Sequence, residues 1–68
     1  MFKLSDIKVG DILIADNTDG SEYKVLEAEK REDACYFCIE NLKTKVRSSL
    51  RIREGNEAKA GIAKIVHA

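Results

Sequence analysis

Lys45-Val46-Arg47-Ser48-Ser49-Leu50-Arg51-Ile52-Arg53 shows the cleanest alternation in the chain. Val46, Ser48, Leu50 and Ile52 fall on one side of an extended backbone, and Lys45, Arg47, Ser49, Arg51 and Arg53 fall on the other. A period of two predicts a β-strand with one face on a core and one in water. Before it lie a short turn at Lys43-Thr44 and a strand over 35–42, where Tyr36, Phe37 and Ile39 supply strand-forming side chains. The charged turn Lys30-Arg31-Glu32-Asp33 separates that strand from another over 23–29. In 23–29 the apolar positions change phase, Tyr23 and Val25 on one face and Leu26 and Ala28 on the other, which a bulge or sharp bend produces. Asn17-Thr18-Asp19-Gly20-Ser21 is a dense turn cluster, so 12–16 and 23–29 read as a hairpin. Leu4-Ser5-Asp6-Ile7 suits a single helical turn, and Val9-Gly10-Asp11 a bend. Beyond the alternating stretch, Asn56 is placed to cap one helical turn that Gly61 ends, and 62–66 reads as a fifth strand. No proline interrupts any strand.

Size and composition narrow the possibilities. With 68 residues there is room for one domain, spanning 1–68. The chain is 44% hydrophobic and its twelve basic side chains balance twelve acidic ones, which excludes a disordered polyelectrolyte. The longest apolar run, 12–15, is far short of the roughly 18 residues a membrane span needs. The opening residues meet Asp6 at once and lack the apolar stretch of a secretory signal, so a cytoplasmic location is expected. Large apolar residues are spread evenly from Phe2 to Val66, which suits a single layer wrapped around a single core.

These features predict an all-β, five-stranded small barrel with one short helical turn before the last strand. The element order resembles the Src-homology-3-like barrels. The resemblance rests on the Val9-Gly10-Asp11-Ile12-Leu13-Ile14 opening, on the strand spacing and on the short loop at 56–61. The proline-binding members of that fold use an acidic loop and an aromatic-lined groove. Four aromatics and no tryptophan do not supply such a groove here. An oligonucleotide-binding barrel is the rival fold, for which this chain is short.

Chemistry-bearing constellations are scarce. Cys35 and Cys38 with His67 give three ligands where a structural zinc wants four, and residues three apart on a strand point to opposite faces. The thiols are therefore read as buried and reduced, with no metal and no cofactor. The turn 16–20 fails as a calcium loop, because setting Gly20 at the sixth position puts Ala15 at the first and Leu26 at the twelfth. The lone histidine pairs with no nucleophile by spacing, and no glycine-rich phosphate loop exists, so no enzymatic activity is expected.

The sharpest feature is a charge asymmetry within the neutral total. Residues 43–53 carry five bases and no acid, whereas 16–33 carry seven acids and three bases. Lys45, Arg47, Arg51 and Arg53 with Ser49 form an exposed stripe able to meet carboxylates or phosphates, and Tyr36 is the nearest aromatic for the contact. The bland alternative is a solvated face neutralised by cross-strand acids, Glu40 above all. A small non-enzymatic binding module is expected, acting through a protein partner with an acidic surface. The alternative is a nucleic-acid adaptor using the same stripe, against which the zero net charge counts. A monomer or weak homodimer is expected. Of the apolar sets Leu13 against Ile12 and Ile14, and Tyr36 against Phe37 and Ile39, one must face outward or lie under the segment around Phe2 and Leu4.

Overall fold

The computed structural model describes residues 2–68. Strands β1 (Ile12–Ala15), β2 (Glu22–Arg31), β3 (Ala34–Asn41), β4 (Arg47–Arg53) and β5 (Ile62–Val66) form one antiparallel sheet in the order β4-β3-β2-β1-β5. Short 3-10 turns at Leu4–Asp6 and Glu57–Lys59 precede β1 and β5. The all-β class, the five strands and the helical turn before the last strand agree with the sequence reading. Closure does not follow: β4 and β5 are the two edges of an open sheet. Both run antiparallel to β1, so they point the same way. A fully antiparallel five-stranded sheet therefore cannot close by one more antiparallel pairing.

The hairpins are set by local polar chemistry. Asn17 Oδ1 accepts the Ser21 N–H at 3.2 Å, and Gly20 takes φ +59°, closing the β1–β2 turn. Between β3 and β4, Asn41 Oδ1 accepts the N–H groups of Lys43 (2.9 Å) and Thr44 (3.0 Å), and Lys45 adopts φ +65°. This turn takes up Lys45 and Val46, so β4 starts at Arg47 and not at residue 45. β2 in turn runs to Arg31, leaving a two-residue Glu32-Asp33 connection with Glu32 at φ +48°. The turn at 57–59 forms, but Asn56 makes no side-chain capping bond; its carbonyl accepts the Lys59 N–H at 3.0 Å. Gly61, at φ +75°, then redirects the chain into β5.

The phase change in β2 is a register shift between Val25 and Glu27. Val25 lies opposite Ile39, whereas beyond the shift Ala28 lies opposite Phe37, so the inward parity moves from odd to even residues. Without that extra residue, Glu27 and Glu29 would point into the core. The bulge spares the sheet two buried carboxylates.

The core is Ile7, Leu13, Val25, Ala34, Cys35, Phe37, Ile39 and Ile52, with Leu13 and Val25 at 2% and 0% exposure. Phe2 and Leu4 pack against this cluster, so the N-terminal segment covers the inner face. Leu13, Phe37 and Ile39 are thus the inward set, and Ile12, Ile14 and Tyr36 the outward one. Cys35 and Cys38 are free and diverge as expected, Cys35 into the core and Cys38 half-buried on the other face.

Among the described residues Asp11 is the buried charge, 3% exposed, in a stretch whose sequence suggests only a bend. Its Oδ2 accepts the Lys8 N–H (2.9 Å) and lies 3.0 Å from His67 Nδ1, while Oδ1 accepts the Ala68 N–H at 3.1 Å. Its main chain pairs with Val25, whose N–H donates to the Asp11 carbonyl at 2.9 Å. One carboxylate therefore fastens the entry to β1 to the residues that leave β5. The Lys8 hydrogen bond leads in holding its pKa below the ordinary value; desolvation opposes this, and Ala68 and His67 reinforce it.

Two outcomes test this core and latch. Leu13→Ala should cost about 2–5 kcal/mol, a large part of the stability of so small a domain, as measured by urea unfolding. A carboxyl with a lowered folded pKa stabilises the fold above its unfolded pKa, about 3.9, and that contribution fades as pH falls through and below that value. Asp11→Asn should therefore be less stable than the parent at neutral pH and lose less stability between about pH 5 and pH 3. Parallel pH profiles for the two proteins would remove Asp11 from this role.

Candidate functional site

The outer face of β2, β3 and β4 brings together the residues singled out in the sequence. On β3, Tyr36, Cys38 and Glu40 point away from the core, alternating with the buried Cys35, Phe37 and Ile39. On β4, Arg47, Ser49, Arg51 and Arg53 are all exposed. The ladder places Glu40 beside Arg47, Cys38 beside Ser49 and Tyr36 beside Arg51. On its other side Tyr36 is paired with Glu29 of β2. Lys45, assigned to the same stripe by its spacing, sits in the turn before β4 and does not share the strand's pleat.

Much of the basic charge is neutralised across strands. Arg47 Nε lies 3.0 Å from Glu40 Oε1, and Arg53 Nη2 lies 3.2 Å from Asp33 Oδ2. On β2, Arg31 Nε lies 3.1 Å from Glu29 Oε1. That hydrogen bond, with the attraction of the same carboxylate, raises the Arg31 pKa further above its already high value. Arg51 differs: among the described residues no carboxylate lies within ion-pair distance of it. Its guanidinium carbon instead stands 6.0 Å from the centroid of the Tyr36 ring, and that of Arg31 stands 5.6 Å from the same centroid. Tyr36, 40% exposed, is thus flanked by guanidinium groups from the strands on either side. Cations over an aromatic ring are held by its quadrupole, which restrains both arginine side chains; Arg31 already donates through Nε to Glu29, whereas the Arg51 guanidinium keeps its N–H groups available to donate.

The arrangement offers a ring, a guanidinium without a carboxylate among the described residues, and the Ser49 hydroxyl on one sheet face. Arg31 and Glu29 were not among the candidates from sequence, because their place beside Tyr36 depends on the β2 bulge. The phase change at Leu26 was the available signal. Among the described residues, no three His, Cys, Asp or Glu side chains gather as metal ligands would, and no helix is long and apolar enough to cross a membrane.

Exposed ion pairs contribute little. A double-mutant cycle on Arg47 and Glu40, read by urea unfolding, should give a coupling of about 0.2–1 kcal/mol. A value several-fold larger would make the pair a structural element. No protein-family model matches this chain, and neither the curated proteins nor the solved structures compared with it include a match.

Proposed function

We propose that this chain is a small non-enzymatic binding module that meets an acidic surface of a protein partner through the outer face of β3 and β4. The observation that carries this reading is Arg51, a cation laid over the exposed Tyr36 ring with, among the described residues, no carboxylate within ion-pair distance. Tyrosine and arginine dominate the energetics of protein interfaces, because each combines a large contact area with directed hydrogen bonding. Arg47, Ser49 and Arg53 form the rim of this surface, where paired charges steer encounter more than they add affinity. Lys45, in the adjoining turn, extends the positive field. In the same reading the open sheet is a Src-homology-3-like small barrel whose seam lies between β4 and β5, and the module works in the cytoplasm without a cofactor.

The nucleic-acid alternative is less well served. Three of the four arginines on this face already hold carboxylates, which lowers the number of phosphates the face can neutralise. The Tyr36 ring is flanked by guanidinium groups, so a base would have to displace them to stack.

Titration at low salt with poly-glutamate, and separately with a single-stranded oligonucleotide of equal charge, distinguishes the two. Binding of poly-glutamate that Arg51→Ala or Tyr36→Ala weakens about fivefold or more is the expected result. Preferential oligonucleotide binding with a steep salt slope, shallowed by Arg51→Ala, would transfer the site to nucleic acid.

A further inference from the structure

The stripe residues have a second property that their side chains conceal. In an antiparallel ladder, backbone groups alternate between pairing with the neighbour and pointing away from it. The Glu54 N–H donates to the Asp33 carbonyl at 2.7 Å, and the Asn41 N–H to the Val46 carbonyl at 2.9 Å. With the register Phe37↔Leu50, these two bonds assign the backbones of Ser48, Leu50 and Ile52 to β3. The N–H groups of Arg47, Ser49, Arg51 and Arg53 therefore point to the free edge of the sheet, as do the carbonyls of the first three. The Arg53 carbonyl accepts the Asn56 N–H at 3.0 Å, ending the edge there.

Beside this edge lies a cavity of about 290 Å³ between β4 and the segment entering β5, floored by Leu13, Tyr23 and Ile39 and walled by Leu50, Ala60 and Ile62. Leu50, half-buried, borders it. A further strand antiparallel to β4 is also antiparallel to β5, which is the pairing the five strands cannot make among themselves.

We infer that β4 is an acceptor edge for an extended acidic segment of a partner protein, added antiparallel as a sixth strand with carboxylates alternating with apolar side chains. This deepens, and rests on, the reading of the stripe as a surface for an acidic partner. On the outer face the carboxylates stand beside Arg47, Arg51 and Arg53; on the inner face an apolar side chain enters the cavity next to Leu50. Main-chain hydrogen bonds supply affinity and the alternating side chains supply selectivity. A second copy of β4 is a poor occupant. Pairing β4 with itself in antiparallel registers centred on Ser49, Leu50 or Arg51 sets an arginine opposite an arginine, and like charges directly opposed repel.

The probe is acetyl-Glu-Val-Glu-Val-Glu-Val-Glu-amide, added to the full chain at low salt, with amide hydrogen exchange followed by NMR. At a peptide concentration tenfold above its Kd, exchange at Ser49 and Arg51 should slow about tenfold, while Ser48 and Leu50, already bonded to β3, change little. The analogue with lysine in place of glutamate should not bind, and Arg51→Glu, at an exposed position outside the core, should weaken the acidic peptide about tenfold. Peptide binding that shifts the Tyr36 and Arg51 side-chain signals without slowing the Ser49 and Arg51 amides would overturn the edge and leave the outer-face reading standing. Failure of the peptide while poly-glutamate binds would do the same. Failure of both would overturn both.

Discussion

The bulge in β2 is the constraint on which the sheet depends. β2 pairs with β1 through its first residues and with β3 along nearly its whole length. Its sequence requires Tyr23 and Val25 inside and Glu27 and Glu29 outside, which an unbroken pleat cannot give, because all four positions are odd. The extra residue at Leu26 resolves the conflict. Burying a carboxylate is far more costly than losing a ladder contact. The same shift brings Glu29 and Arg31 to the outer face beside Tyr36, so the core and the composition of the outer face follow from one local irregularity.

The outer face shows how a neutral chain carries a directed charge. Seven acids lie in 16–33 and five bases in 43–53, and two of those bases, Arg47 and Arg53, are paired with carboxylates. Asp33 and Glu40 reach Arg53 and Arg47 across the β3–β4 hairpin, and Glu29 holds Arg31. Arg51 is left over because its cross-strand neighbour is Tyr36, not an acid. The pairing neutralises three of the four arginines on this face and leaves Arg51, among the described residues, with no carboxylate within ion-pair distance.

Much of the fold was legible because the information was local. Alternation along β4, the turn residues around Gly20, the phase change at Leu26 and the divergence of Cys35 and Cys38 each follow from neighbours in sequence. Strand ends were less legible. Whether Val46 belongs to strand or turn was settled by Asn41, whose side chain satisfies two turn amides and pulls Lys45 into a left-handed conformation. Asp11 escaped notice for a different reason. Its partners at Ala68 and His67 lie at the far end of the chain, and nothing in the residues around Asp11 marks it as buried.

The sequence by itself determined the all-β class, the number and order of strands, the need for a bend in the second strand, and a basic stripe of period two. These rest on the geometry of an extended backbone, which assigns each side chain to a face without reference to the rest of the molecule. Only the tertiary structure decided which face each strand turns inward, which arginines keep their charge free, that Asp11 fastens the two ends, and that the sheet stays open along β4. Those outcomes depend on register between segments distant in sequence. A cross-strand neighbour one residue away converts a free cation into an ion pair, and only the assembled ladder specifies that neighbour.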